Sequence, residues 1–205
     1  MMAKVIQLDT TGPSKLGYKR AKKRKSKDLE TEGQLNLFAQ TEAKVIQLPS
    51  RFTPFEEALW LDEKGDPGAQ EAYLKAIIAN DCIADANCNL GILETQTGNT
   101  AKAFDYFTEC LKYEPRHLEA HYNLANLYFE QDDYRLAKLH YEIAAEIEPE
   151  FSNIYFNLAL VYAMNEEYED AFNALIKYKS LAPPEEGNKA DTLLNSLKKS
   201  LTEQN

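Results

Sequence analysis

The chain has little cysteine and no long hydrophobic run. Its 205 residues include only three cysteines, Cys82, Cys88 and Cys110, an odd and irregularly spaced set. Such a set argues against a disulfide framework and fits a reducing compartment. The apolar stretch from Val5 to Leu8 is far shorter than the roughly 7–15 residues of a secretory signal or the about 20 residues of a membrane span. These absences predict a cytoplasmic protein with no membrane partner.

Recognisable catalytic and metal-binding motifs are also missing. In the segment His117–His121 the glutamate stands in the wrong place for the His-Glu-x-x-His zinc motif. His140 has no cysteine or carboxylate at ligand spacing. No glycine-rich phosphate loop and no nucleophile elbow occur. We therefore expect no enzyme activity, no metal and no cofactor, and we expect Cys110 to be a buried, inert thiol.

Charge is distributed unevenly along the chain. Residues 1–50 hold ten basic and five acidic side chains, a net charge of +5. The other 155 residues hold 13 basic and 28 acidic side chains, a net charge of −15, and the whole chain carries −10. A basic tail is therefore joined to an acidic body, and the two parts attract each other.

Residues 1–50 are predicted to form a disordered basic tail. Their high charge, few aromatic side chains and Gly12-Pro13 break leave too little apolar surface to offset the entropy of ordering the chain. Within the tail the hexapeptide Ala3–Leu8 is repeated word for word at Ala43–Leu48. The two copies are interpreted either as short strands or as flanking linkers.

A basic run in the tail is a candidate nucleic-acid contact. Many cations in a short segment release counterions on binding phosphates, which gives salt-sensitive affinity without sequence preference. Only Tyr18 stands beside the run, so base stacking has little support, and a solubilising tail fits the composition equally well. The candidate residues are Lys19, Arg20, Lys22, Lys23, Arg24, Lys25 and Lys27.

A second tail segment, Gln34-Leu35-Asn36-Leu37-Phe38, resembles the pentapeptide by which bacterial replication and repair proteins dock on the DNA sliding clamp. In that mode Leu37 and Phe38 enter an apolar pocket while Gln34 forms hydrogen bonds at its rim. A helical turn docked on the rest of the chain and a chance apolar patch remain alternatives. The candidate residues are Gln34, Leu35, Leu37 and Phe38.

The rest of the chain repeats one pattern every 34 residues. Residues 84–117, 118–151 and 152–185 align without a gap, each with a leucine in its first half, an alanine opening its second half and a proline near its end. The aligned residues are Leu90, Leu124 and Leu158; Ala103, Ala137 and Ala171; and Pro115, Pro149 and Pro183. This pattern resembles the tetratricopeptide repeat, in which each unit is a helix–turn–helix. The resemblance implies an all-α fold, an α-solenoid of stacked repeats that presents a binding surface.

The repeat domain is predicted to span residues 51–205. A degenerate first unit covers residues 50–83, with Thr53 capping a helix that runs to Lys64 and a second helix at about 67–80. Second helices are predicted at about 100–113, 134–147 and 168–181 in the three full units. An apolar stripe predicts a C-terminal capping helix at about 186–202.

The first helices are expected to line the groove of the solenoid. An asparagine precedes each signature leucine, so stacking places Asn89, Asn123 and Asn157 in a row. An asparagine amide offers both a donor and an acceptor, so such a row can hold the backbone of an extended peptide. The resemblance implies the same use, because some peptide-binding repeat proteins carry asparagine ladders, whereas local contacts are the alternative. The candidate groove residues are Asn89, Asn123, Asn126, Asn157, Tyr122 and Phe156.

Two hypotheses about function follow. The first is a non-catalytic adaptor that binds an extended peptide from another protein in the groove. The slots where chaperone-binding repeat proteins carry basic residues hold Asn, Cys, Ile and Tyr here, so an apolar or apolar and basic segment is expected, the chain's own tail included. The second is a factor for replication, repair or transcription, recruited to nucleic acid or the sliding clamp through the tail.

Overall fold

The computed structural model describes residues 17, 19–22, 52–184 and 189–204, and all secondary structure within them is helical. The helices are α1 (Pro54–Glu63), α2 (Ala69–Ile78), α3 (Ile83–Gln96), α4 (Thr100–Tyr113), α5 (Leu118–Glu130), α6 (Tyr134–Ile147), α7 (Ser152–Met164), α8 (Tyr168–Leu181) and α9 (Lys189–Gln204). Each odd-numbered helix from α1 to α7 packs against the helix that follows it, and neighbouring pairs pack on each other. The predicted all-α solenoid is thereby confirmed.

The shortened first unit begins with a reciprocal cap. The hydroxyl of Thr53 accepts a hydrogen bond from the Glu56 backbone N–H, and the Glu56 carboxylate accepts one from the Thr53 backbone N–H. Pro54 stands at the first helical position, where its missing N–H costs nothing. The helix therefore starts where the sequence placed it, although α2 is shorter at both ends than expected.

The turn inside each full unit needs one residue in the left-handed region. That residue is Gly98 in the first unit, with φ of 79°, and Asp132 and Glu166 in the next two, with φ of 58° and 62°. The conformation carries a cost of about 1 kcal/mol or more for a residue with a Cβ. The second helices end before Pro115, Pro149 and Pro183 and span the predicted residues.

Small residues let the paired helices approach closely. A Cβ on Gly91 would lie 2.7 Å from the Phe107 ring, so α3 and α4 cross where only glycine fits. Ala125 and Ala159 stand at the equivalent positions of the next two units and are buried, and Ala103, Ala137 and Ala171 are fully buried on the second helices. The repeated small residues therefore set the spacing of each helical pair.

The last helix closes the stack. α9 packs on α8, and Ala190, Leu194 and Leu197 bury their side chains against the last unit. The capping helix is confirmed as α9, Lys189–Gln204, and the predicted start at residue 186 lies outside the described residues. Within the described residues no helix is both long and apolar enough to cross a bilayer.

Candidate functional site

Two buried asparagines of the first helices hold a segment of the chain's own tail. Asn89 on α3 and Asn123 on α5 are fully buried, and residues 19–22 lie across them. We call the surface formed by Asp62, Asn89, Glu119 and Asn123 the first-helix groove. Residues 19–22 were expected to belong to a disordered tail, but here they have defined contacts because the groove satisfies their backbone.

Each asparagine amide forms two hydrogen bonds with the backbone of one tail residue. The Ala21 N–H donates to Asn89 Oδ1 and Asn89 Nδ2 donates to the Ala21 carbonyl, each over 3.0 Å. The Lys19 N–H donates to Asn123 Oδ1 over 3.2 Å, and Asn123 Nδ2 donates to the Lys19 carbonyl over 2.9 Å. Four backbone groups of the segment are therefore paired with side chains of the repeats.

This pattern specifies the conformation of the segment. In extended chain the N–H and C=O of one residue point to the same side, and the next residue's groups point to the opposite side. The grip on residues 19 and 21 therefore indicates a nearly extended backbone with every second residue facing the asparagines. Two residues of extended chain span about 7 Å, and this length bridges one repeat to the next.

Side chains of the segment also have partners in the groove. Ala21 is 1% exposed and packs among the buried apolar residues around α3 and α4. Arg20 Nη1 pairs with Asp62 Oδ2, whose side chain is 3% exposed. Lys19 Nζ lies 3.7 Å from Glu119 Oε1 and 4.2 Å from the centre of the Phe151 ring. The groove therefore contacts both the backbone and the side chains of the segment.

The third asparagine of the predicted row has its amide nitrogen turned to the interior. Asn157 Nδ2 lies 3.2 Å from the Tyr122 hydroxyl, 3.2 Å from Asn126 Oδ1 and 3.1 Å from the Tyr141 hydroxyl. Asn126 is itself fully buried, and among the described residues Nδ2 of its side chain has no hydrogen-bond partner. The structure thus places Asn126 in an internal polar network, and the role of Asn157 in the groove stays a prediction.

The difference between Asn157 and Asn123 follows from the side chains that surround each of them. The three oxygens beside Asn157 belong to Tyr122, Asn126 and Tyr141. The corresponding positions one unit earlier hold Cys88, Ile92 and Phe107. Those three side chains therefore offer Asn123 no oxygen acceptor, and Asn123 Nδ2 lies 4.0 Å from Cys88 Sγ. Its amide is left to bind the tail backbone.

Two aromatic candidates for the groove are buried among other aromatic side chains, and their role in the groove stays a prediction. Tyr122 is fully buried, with its ring centre 5.8 Å from Tyr141 and 5.2 Å from Phe151. Phe156 is 1% exposed and packs 5.1 Å from Tyr178. Both precede an asparagine in sequence, and on a helix that places them about 100° away from it, toward the neighbouring helix.

Sequence reasoning missed a buried cluster below the groove. The ligand atoms of Cys88, Cys110 and His117 lie within 4.8 Å of one another. His117 Nδ1 accepts from the Ala120 N–H over 3.2 Å, capping α5, and Nε2 lies 3.0 Å from Asp85 Oδ1. Because both ring nitrogens are engaged, a metal would have to displace one of these bonds, and we interpret the cluster as structural.

The two thiols of this cluster differ in acidity. A hydrogen bond from Cys88 lowers the pKa of Cys110 to about 7, with burial opposing and His117 assisting. Burial raises the pKa of Cys88. Both are fully buried. The spacing of seven residues between Cys110 and His117 was a signal in the sequence that the two side chains could lie close together. Their proximity to Cys88 was not predictable, because it depends on how the helices pack.

Other predicted tail sites fall mostly outside the described residues. The clamp-like motif at residues 34–38 and the basic residues 23–27 belong to this group, as do both hexapeptide copies. Of the nucleic-acid candidates, Lys19 and Arg20 lie in the groove and Lys22 is exposed. The contacts proposed for the tail with nucleic acid and with the clamp stay predictions.

Sequence comparison agrees with the repeat geometry. Models of the tetratricopeptide repeat match residues 95–139 and 122–184. The chain carries tetratricopeptide repeats. The matches run from the end of α3 to just beyond α8, so they cover the second helix of the first full unit and both helices of the next two. The degenerate first unit and α9 lie outside them, as expected for end units that cap a solenoid.

Relatives share only this module. Over 129 residues the chain is 30% identical to the human protein O-mannosyl-transferase TMTC3 and 26% identical to a UDP-N-acetylglucosamine–peptide N-acetylglucosaminyltransferase of Giardia intestinalis. These stretches cover 62% and 63% of this chain but only 14% and 8% of the two transferases. The transferase activity therefore does not pass to this chain from the match.

Solved structures agree in fold. MamA from Desulfovibrio magneticus RS-1, residues 41 to its end, superposes with a TM-score of 0.61 at 21% identity, over 73% of this chain and 90% of MamA. The first repeat domain of Spaghetti (RPAP3), bound to the HSP90 peptide SRMEEVD, superposes with a TM-score of 0.55 at 18% identity, over 58% and 94% of the two chains. At these identities the likeness concerns the fold alone.

Proposed function

We propose that the chain is a non-catalytic adaptor whose first-helix groove binds an extended peptide of a partner protein. The observation that carries the proposal is the paired grip of Asn89 and Asn123 on residues 21 and 19. Each amide replaces both hydrogen bonds that water would give to one residue of an extended backbone. These backbone contacts alone require only that a segment lie extended with the correct spacing.

The charge of the groove favours a basic partner. Asp62 and Glu119 stand at its wall with side chains 3% and 14% exposed. The peptide named with the RPAP3 domain, SRMEEVD, carries three acidic residues. Such a sequence would meet like charge here, which costs free energy in a partly buried site. We therefore expect the partner of this chain to differ in charge from that peptide.

A role without catalysis fits the chemistry of the groove. Its polar side chains are amides and carboxylates that pair with backbone and with cations of the bound segment. The buried thiols lie below the segment and are covered by Ala21. These groups are suited to holding a peptide, and the proposal assigns them no reaction.

The nucleic-acid hypothesis has less support from the groove. Lys19 and Arg20 were among its candidate residues, and both form ion pairs with carboxylates of the repeats. A phosphate backbone would have to displace these pairs. We therefore keep the peptide adaptor as the proposed function.

A binding measurement with a synthetic peptide tests the proposal. The probe is a fluorescent peptide of residues 14–27, and the protein is the full chain with Arg20→Glu and Ala21→Glu, which weaken its own occupant. We expect saturable binding by fluorescence anisotropy, reduced at least tenfold by Asn89→Ala or Asn123→Ala, because each change removes two backbone hydrogen bonds.

Asn195→Ala is the matched control, because Asn195 is exposed on α9. It removes the same amide without touching the groove and should leave the affinity unchanged. A basic peptide will also adhere weakly to an acidic protein, so the comparison among the three asparagine variants decides the result. Equal binding by all of them would refute the groove as the site.

A further inference from the structure

The segment in the groove is recognised by its side chains as well as its backbone. We propose that the first-helix groove selects a basic residue followed by a small one, and that residues 19–21 of the chain occupy it in competition with partner segments. The inference rests on the proposed peptide-binding function and deepens it in two respects. It names the class of peptide, and it makes the tail an intramolecular competitor.

The small residue is required by an enclosed pocket. Ala21 is 1% exposed and belongs to one apolar cluster with side chains of α3, α4 and α5. The cluster includes Cys88, Ile92, Phe107 and Cys110. A leucine in place of Ala21 would add three carbon atoms to a packed site, and such overpacking weakens binding.

The pocket is formed in part by the three residues whose side chains offer Asn123 no oxygen acceptor. Cys88, Ile92 and Phe107 replace the oxygen-bearing residues found one unit later, so they supply apolar surface where the next unit has a polar network. Pocket and asparagine grip therefore occur together between the first and second full units. The apolar side chains at these three positions therefore account for both the pocket and the availability of the Asn123 amide.

The basic residue before the small one faces a buried carboxylate. Asp62 is 6% exposed as a residue, and its Oδ2 accepts a hydrogen bond from the Tyr73 hydroxyl over 2.9 Å. The Arg20 guanidinium pairs with the same oxygen, in a recess that Glu94 also lines. A buried carboxylate that loses its cation is strongly destabilised. Asp62 therefore favours a peptide that supplies a cation at this position.

Within residues 19–25 only one register satisfies both sites. Residues 19–25 read Lys-Arg-Ala-Lys-Lys-Arg-Lys, and Ala21 is the single uncharged residue among them. A shift by one residue in either direction would force a long cation into the enclosed pocket. The alanine therefore fixes the register, and the neighbouring Lys19 then reaches Glu119 and the Phe151 ring.

Because the segment belongs to the same chain, it competes with partners at an effective concentration on the order of millimolar. A partner peptide of similar sequence must displace it, so its apparent affinity falls by the fraction of grooves left open. Two consequences can be measured: the affinity of an added peptide rises when the tail is weakened, and it depends on which residues stand at positions 20 and 21.

The test titrates fluorescent peptides of residues 14–24 into the full chain, either wild type or with Arg20→Glu and Ala21→Glu. We expect the substituted protein to bind the native peptide at least tenfold more tightly than the wild type. Peptides with Ala21→Leu or with Arg20→Gln should bind the substituted protein at least tenfold more weakly. A Lys22→Ala peptide is the control, since Lys22 is exposed, and it should bind nearly as well as the native sequence.

Each failure has a distinct meaning. Equal affinity of the native peptide for both proteins would overturn the intramolecular competition. Equal affinity of the Ala21→Leu, Arg20→Gln and native peptides would overturn the selectivity, while loss of binding in Asn89→Ala would still uphold the proposed groove. Light scattering adds one further check: a wild-type dimer that becomes a monomer on Arg20→Glu with Ala21→Glu would assign the tail to a second copy and overturn competition within one chain.

Discussion

Asparagines at one repeat position differ in the partners of their amide nitrogens. Asn123 turns its amide to the tail backbone, whereas the amide nitrogen of Asn157 faces buried hydroxyl and carbonyl oxygens. Repeat position alone therefore does not determine the role of the side chain. The partners depend on the residues of the preceding unit, because these side chains either carry oxygen acceptors or are apolar.

A histidine pair gives the repeats a dependence on pH. His121 Nδ1 and His140 Nδ1 are 2.9 Å apart, and His121 Nε2 lies 3.0 Å from the Pro115 carbonyl. The arrangement is satisfied when His121 donates to the carbonyl and His140 donates to His121, both neutral. Burial, with the charge of His121 assisting, lowers the pKa of His140 to about 4, and burial also lowers the pKa of His121, with Arg116 and His117 adding to that effect.

The sign of the effect follows from proton linkage. The unfolded chain binds a proton at the ordinary pKa of 6.5, above the folded value, so this contribution to stability is present above pH 6.5 and is lost as pH falls toward about 4. We expect wild type to lose about 1–2 kcal/mol more than His140→Gln between pH 7 and pH 5, allowing for partial solvent exposure. Urea unfolding at the two pH values measures this, and an identical loss in both proteins would contradict it.

The sequence predicted the asparagine row but not which members face a ligand. Residue type and the 34-residue spacing placed Asn89, Asn123 and Asn157 on equivalent helices. The direction of each amide depends on contacts between units that only the packed structure defines. The same limit explains why Tyr122 and Phe156 were assigned to the groove although they are buried.

Helix limits were the most predictable feature at the scale of elements. The second helices α4, α6 and α8 begin after turns and end before prolines, and these local signals fixed their bounds. The turns themselves were harder to interpret. Asp132 and Glu166 adopt the left-handed conformation that Gly98 adopts without strain, because the stacked units impose it.

The crossing of α3 and α4 makes a specific prediction. A Cβ at Gly91 would lie 2.7–2.9 Å from three atoms of the Phe107 ring, so Gly91→Ala should destabilise the protein by about 1–3 kcal/mol in urea unfolding. Phe107→Leu removes the ring atoms that cause the overlap. In that background Gly91→Ala should cost at least 1 kcal/mol less, and a strictly additive pair of changes would contradict the proposed contact.

The whole molecule joins two parts of opposite charge, and the structure brings one short piece of the basic part onto the acidic part. Net charge predicted this attraction, and the chain's own tail was a stated candidate for the groove. The register was not predictable, because it depends on an enclosed pocket below Ala21 and on the buried Asp62. Both arise from packing between units.

The most direct test of the central claim is amide hydrogen exchange in the full chain, followed by NMR at Lys19 and Ala21. Both amides donate to asparagine side chains and should therefore exchange well below the rate of an unprotected chain. Asn89→Ala should release Ala21, Asn123→Ala should release Lys19, and Asn195→Ala should release neither. Wild-type exchange at the unprotected rate at both positions would contradict the account.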